Sequence, residues 1–489
     1  MKIKLNLISS LLMQFITIVS GMILPRLIIA NFGSEVNGLL SSITQFLSMI
    51  SLLEGGLGAV VLAELYLPIE NNDKYKISQI LNVCEKFFKN VSYVFIAYTL
   101  VLMAIYPALF AKGFSFEYTS TLILILSFNT LIQYLFSITN KLFLQANQKL
   151  YVCNIVTSIT VIINLALSIL VINIYPNIHI VKLISSLIYL IQPIIYNYYV
   201  KKYYNIDRKV KVKDKVLKER WSGFSQNIAY FINLNSSVII ITVFLSLKAV
   251  SVYSVYMLVM NGLRTVITTI ANSYQSALGK YIAQSNIKNL QNQFRKFNTL
   301  LWILSSVLFS TCLLLINQFV SIYTAGISDA NYFQPLFALI MVLAQFSFCI
   351  RESYRILVLA GGKFKDTNSS SLIEAIINIV ISLGLVKFVG IIGVAIGMLI
   401  SVTYRLIYFI IYLRKNIIFM NVESSIQLFV SSIIILILNI IIYFSFPLTI
   451  DNYIKFIISG VVLVIMETLL CMITYISVNK CYKKFNINS

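Results

Sequence analysis

Three arginines and three glutamates sit inside long apolar runs of this 489-residue chain: Arg26, Arg264 and Arg405, and Glu54, Glu374 and Glu467. An ionised side chain at the centre of a hydrocarbon layer costs at least about 2.5–3.5 kcal/mol, so each needs a partner, a cavity or a ligand. A guanidinium offers a planar fork of donors that matches phosphate oxygens, which makes Arg26, Arg264 and Arg405 candidates for holding an anion. The alternative for each is a carboxylate partner, or a stem long enough to carry the charge to an interface. Arg26 follows Pro25 late in its run, where a freed backbone carbonyl and a cavity could coincide, and Arg405 lies toward the expected cytoplasmic end of its run. Burial disfavours the ionised form of a carboxyl and so permits reversible protonation. Glu54 and Glu374 are therefore candidates for coupling to a proton or sodium ion, and equally for pairing with an arginine. Glu467 lies in the last apolar run, where a structural role is expected.

Uncharged polar residues also cluster. Ser225, Gln226, Asn227, Asn233, Asn235, Ser236 and Ser237 fall within little more than three helical turns. Their amides and hydroxyls need neighbouring helices or a water-filled cavity able to hold a polyhydroxylated ligand. Gly55, Gly56 and Gly58 directly after Glu54 allow either close helix approach or local unwinding. The six cysteines show no CxxC spacing and read as apolar filler. With a lone His179, no histidine-based metal or catalytic cluster can be assembled, so neither metal nor cofactor is expected.

The elements that carry these residues follow from composition. The chain is 59% hydrophobic and 11% charged, with a net charge of +21. A soluble domain is nearer 45–50% and about 25%, and a disordered or nucleic-acid-binding chain needs far more polar surface than this one has. About twenty apolar residues cross a bilayer core. Runs of that kind fall at 6–30, 37–63, 90–111, 119–138, 151–173, 180–200, 223–246, 250–274, 298–323, 332–350, 368–386, 388–412, 425–446 and 454–478. The expected fold is an all-α integral membrane protein of about fourteen spans. The first run is too long for a signal peptide and leads directly into another span. Short loops leave no room for a soluble catalytic domain, so an enzyme is not expected. When the loops are sorted by alternate sides, about 30 of the 38 basic residues fall on one side, Arg351 and Arg355 among them. That side is expected to be cytoplasmic and to hold both termini of a multi-pass protein.

Lys201–Arg220 carries nine basic and three acidic residues and divides the chain after six spans. A shift of 214 positions aligns Ala146 with Ala360, Lys149 with Lys363, Asn164 with Asn378, Ser168 with Ser382 and Tyr198 with Tyr412. Six spans per copy makes the repeats parallel, an arrangement transporters use with the substrate between the halves. The expected organisation is a six-helix lobe at 1–200, a basic cytoplasmic linker at 201–220, a second six-helix lobe at 221–416, and two additional helices with a tail at 417–489.

The run LPRLIIANFGSEVNGLLSSITQFLSMISLLEGGLGAVVLAELYLPI (24–69) resembles the opening of Wzx-type polysaccharide flippases, of the larger group that contains lipid II flippases and MATE exporters. GGKFKDTNSSSLIEAIINIVISLGLVKFVGIIGVAIGMLISVTYRL (361–406) is similar to that family's eleventh and twelfth spans. The resemblance implies movement of an undecaprenyl-diphosphate-linked oligosaccharide across a bacterial cytoplasmic membrane, for O-antigen or capsule synthesis. It further implies that Arg26, Arg264 and Arg405 meet the diphosphate and that Asn233, Asn235 and Asn378 face sugar. The implied partners are the lipid-linked oligosaccharide, membrane lipids and other polysaccharide-assembly membrane proteins. A fourteen-span count also suits a lipid II-type flippase. A MATE-like exporter of cationic drugs should prefer acids in its cavity, a polymerase or ligase should carry a large outer loop, and a scaffold would not explain ionisable residues unless all of them pair.

Overall fold

In the computed structural model, residues 2–54, 57–204, 206–207, 210, 224–284, 287–363, 366–418, 423–445, 450 and 452–487 are described; at 2–3, 59, 224–230, 233–234, 283, 418, 423–426, 443–445 and 479–487 only the backbone is. Every regular element among them is helical. The chain forms two compact units, Met1–Phe231 and Ile232–Ser489. Most of the basic linker lies outside the described residues.

In the first unit the helices are α1 (Lys2–Ser48), α2 (Leu57–Glu70), α3 (Lys74–Phe110), α4 (Phe116–Ile132), α5 (Ile138–Ala146), α6 (Leu150–Ile174), α7 (Ile178–Ile188) and α8 (Ile191–Tyr203). α9 (Phe224–Phe244) lies mostly in the second unit. It is followed there by α10 (Leu247–Ser273), α11 (Gln275–Ala283), α12 (Ile287–Tyr323), α13 (Pro335–Ala360), α14 (Asn368–Val389), α15 (Ile391–Leu413), α16 (Glu423–Ser445) and α17 (Tyr453–Ile487). Among the described residues, eleven helical stretches are long and apolar enough to cross a membrane. The first, Lys4–Glu54, contains two crossings, because Gly33 at φ 84° and ψ 170° breaks the helix in a conformation that favours glycine. With the shorter apolar stretches Asn235–Phe244 and Gln427–Ile442, the number of crossings reaches fourteen. The protein is thus a multi-pass membrane protein. Its exposed apolar side chains make physical sense only against lipid, as along α17, where Ile454, Ile457, Val461, Ile465, Leu469 and Ile473 are all exposed.

Two helices are much longer than a bilayer core requires. α3 and α12 have 37 residues each, about 55 Å at 1.5 Å per residue. Lys74, Lys76, Lys86 and Lys89 therefore sit on the extension of α3, and Lys288, Arg295 and Lys296 on that of α12, where loops are expected from sequence. Side chains close several helix ends. Asp73 Oδ1 accepts from the Lys76 amide at 2.9 Å to cap α3, and Asn177 Oδ1 accepts from the His179 amide at 2.9 Å to cap α7.

Within each unit, small and polar residues hold helices together, as expected where apolar burial gives no drive against lipid. Asn154 of α6 donates to Ser9 at 3.1 Å and to Ser10 at 2.8 Å on α1. Tyr106 of α3 donates to Ser42 of α1 at 2.6 Å. In the second unit, Gly393 and Gly397, one turn apart on α15, face α14 directly: a Cβ on Gly393 would stand 2.7 Å from Leu385, and one on Gly397 would overlap Ser382.

Candidate functional site

Helices α13, α14 and α15 bring together a buried charge network. Arg351, Glu352, Glu374 and Arg405 are each no more than 6% exposed. Arg351 Nη1 donates to Glu374 Oε1, while the other carboxylate oxygen of Glu374 lies 3.7 Å from Arg405 Nε. Arg405 also donates to the Thr367 carbonyl at 2.9 Å, to Ser371 Oγ at 2.6 Å and to Ser370 Oγ. Glu352 takes 2.8 Å bonds from Nε and Nη2 of Arg355 and stands 4.0 Å from Arg351. Arg355 Nη2 reaches Asn272 of α10 at 3.2 Å. Three guanidiniums thus share two carboxylates.

This corrects the placement of Arg351 and Arg355 in a cytoplasmic loop. α13 continues to Ala360, well past the apolar run that ends near residue 350. A buried guanidinium is tolerable because Glu374 projects from the adjacent helix, and removing one partner of such a pair leaves an uncompensated charge. For Glu374 and Arg405, then, the geometry supplies the carboxylate–arginine partnership.

Arg264, on α10, is placed differently. Its guanidinium carbon lies 5.3 Å from the centre of the Phe348 ring, and that of Arg351 lies 4.4 Å from the same ring. Both distances are within cation–π range. No carboxylate among the described residues comes within 4 Å of Arg264, which is partly exposed. Arg26 of α1, one residue after Pro25, is half-buried in the first unit.

Asn378 is fully buried between α14 and α15, where Ser382 Oγ donates to its Oδ1 at 3.2 Å. Asn235 is half-buried on α9, with Ser236 and Ser237 buried beside it, and the side chain of Asn233 lies outside the described residues. Glu54 ends a 3₁₀ turn, Met49–Glu54, and accepts from the Tyr134 hydroxyl. Gly55 and Gly56 lie outside the described residues; a Cβ on Gly58 would touch Leu142 at an ordinary 3.6 Å. Glu467, on α17, accepts from Asn439 of α16 at 3.2 Å and is 3% exposed, so it joins the two C-terminal helices. Sequence reasoning did not identify Phe348, Glu352 or Tyr134. The signal for Glu352 was its position between two arginines on one helical face; nothing local singles out the two aromatics.

His179 sits over Tyr118, with ring centres 4.4 Å apart and Nε2 2.9 Å from the Tyr118 carbonyl, and so fastens α7 to α4. Five cysteines are buried and unbridged, and no group of three or more potential metal-ligating residues occurs among the described residues. A cleft of about 590 Å³ opens among the loops after α9, α12 and α14, lined by Ser246, Lys248, Asp329, Asn331 and Gln334. It contains none of the residues expected from sequence to bind a ligand.

No protein-family model matches the chain, nor does any curated protein. Solved structures do. A lipid II flippase, MurJ, in an inward closed conformation is similar over 98% of this chain and 100% of its own, with a TM-score of 0.68 at 16% identity. An inward-facing multidrug resistance MATE family transporter of the MOP superfamily is similar over 82% of this chain and 94% of its own, with a TM-score of 0.58 at 15% identity. A MATE structure in the bent conformation covers 88% and 97%, with a TM-score of 0.53 at 16% identity. The chain has the fold that these membrane transporters share.

Proposed function

We propose that the protein is a flippase that moves an undecaprenyl-diphosphate-linked oligosaccharide from the cytoplasmic to the outer leaflet by alternating access, in the manner of Wzx-type proteins. One observation carries the reading. The likeness to a flippase of lipid II covers 98% of this chain and so takes in the 417–489 segment, whereas the first MATE likeness covers 82%. A long polyprenyl tail gives the two extra helices something to do, and a small soluble cargo does not. The charge pattern supports the same choice: near Arg264 the second unit gathers four arginines, Arg264, Arg351, Arg355 and Arg405, around two glutamates, Glu352 and Glu374, which suits an anionic cargo and opposes a cationic drug.

In this reading Arg26 and Arg264 are the diphosphate-binding arginines, Arg405 braces α15 against α14 through Glu374, and Asn235 lies toward sugar. Both termini are cytoplasmic, as the distribution of basic residues argues. Deleting the gene tests the function. The lipid-linked oligosaccharide should accumulate on the inner leaflet, and its sugars identify the cargo; if none accumulates, the reading fails. Lipid II accumulating in its place supports the lipid II alternative.

A further inference from the structure

Glu54 and Glu374 occupy opposite surroundings. Glu374 lies between Arg351 and Arg405, whereas no Lys, Arg or His among the described residues is within ion-pair distance of Glu54. Among the described residues its one hydrogen-bond partner is the Tyr134 hydroxyl. Tyr134 is 5% exposed and lies against Phe88 at 6.0 Å and Phe95 at 6.3 Å between ring centres. Among the elements packed around the pair, α3 contributes two further titratable groups. The Tyr98 hydroxyl donates to the Phe46 carbonyl at 2.9 Å and touches Met49 Sδ at 3.8 Å, and Cys84 is engaged by Thr139 at 3.7 Å. α1 offers the Phe46 carbonyl, and neither α1 nor α3 brings a cation to Glu54.

A carboxylate without a counter-cation is unstable in an apolar setting unless it holds a proton or a metal ion. A hard metal cation needs a shell of several oxygens. Among the described residues Glu54 has one hydrogen-bonding neighbour, a phenol, which suffices for a proton and falls short of the oxygen shell of a metal.

Both members of the pair sit on helix irregularities. Glu54 ends the 3₁₀ turn Met49–Glu54, and Tyr134 belongs to a π-helical turn, Gln133–Ser137, between α4 and α5. Such turns change side-chain direction within a continuous helix and recur at functional sites. Here one hydrogen bond ties two of them together.

We propose that Glu54 and Tyr134 form a proton-binding site in the first unit, in which loading and release of one proton on the Glu54 carboxyl resets the turn Met49–Glu54; its coupling to a lipid-linked cargo rests on the function proposed above. In the loaded state the neutral acid accepts from Tyr134 at a part-buried contact. On release the proton passes to water as hydronium, and the carboxylate left behind, held more strongly by the Tyr134 hydroxyl, draws water to the turn Met49–Glu54.

Infrared difference spectroscopy of the full-length protein in nanodiscs, between acidic and alkaline buffer, reads this directly. The wild type should show a titrating carboxylic-acid carbonyl band that is absent in E54Q and shifted in Y134F, which keeps the acid and removes its donor. A titrating band unchanged in E54Q, with that variant monodisperse by gel filtration, overturns the proposal, as does an unshifted band in Y134F. In proteoliposomes, E54Q should lose the response of flipping to a pH gradient and E54D should regain it; a full response in E54Q also overturns the proposal. If the wild type flips no lipid-linked oligosaccharide while the Glu54 band titrates, the function reading fails and the proton site stands.

Discussion

Glu374→Ala removes a carboxylate that serves two buried guanidiniums. Taking one partner from a buried ion pair costs about 3–5 kcal/mol, because the charge left behind has no compensation. The two arginines differ in what remains to them. Arg405 keeps the Thr367 carbonyl and the hydroxyls of Ser370 and Ser371, whereas Arg351 is left with Glu352 at 4.0 Å. The loss should therefore reside mainly in Arg351, and adding Arg351→Met should return about 2 kcal/mol or more to the E374A protein. Glu374→Gln, which keeps an acceptor, should cost less than the alanine. The assay is thermal unfolding in detergent, followed by tryptophan fluorescence and by gel filtration after heating, on the four proteins of a double-mutant cycle. A melting temperature for E374A equal to wild type, or an R351M/E374A protein as unstable as E374A, would refute the assignment of Glu374 as the counter-ion of a buried arginine.

Gly397→Ala should destabilise the second unit by about 1–3 kcal/mol, since its methyl would overlap Ser382 at the α14–α15 contact; the same thermal assay reads it. Phe348→Leu should leave the fold melting near wild type but weaken oligosaccharide flipping in proteoliposomes, because the ring that holds Arg264 at 5.3 Å is gone. Trp302→Phe should cost about 1–3 kcal/mol, because the indole N–H donates to Ser432 at 2.6 Å and joins α12 to α16; limited proteolysis should then cut nearer the C-terminus first. Reducing agent should change neither electrophoretic mobility nor thermal stability, as the five described cysteines are buried and unbridged.

The helix count was readable from hydropathy, because a span is set by length and polarity alone. The runs at 6–30 and 37–63 were read as two spans, and the break between them falls at Gly33. Helix ends were less readable. The reading closed the tenth span at Ile350 because Arg351 is charged, yet α13 runs on to Ala360. Local sequence cannot distinguish a helix leaving the bilayer from one that buries its charges against a glutamate on the next helix. Glu54 and Glu374 looked alike for the same reason. Only the fold sets Arg351 and Arg405 beside Glu374 and a lone tyrosine beside Glu54. Asn378 read as a cavity amide, but Gly397 draws α15 so close to α14 that the amide is sealed between them.

The central claim is transport of a lipid-linked oligosaccharide, and its most direct measurement is flipping by the purified full-length protein in proteoliposomes loaded with fluorescent undecaprenyl-diphosphate-oligosaccharide. Accessibility of the label to an outside quencher should rise with protein present, and should fall to the protein-free rate in R26E and R264E variants that still purify as folded monodisperse proteins. Flipping that proceeds undiminished in both variants would remove the diphosphate role of these arginines, and a wild-type rate equal to that of protein-free vesicles would contradict the account.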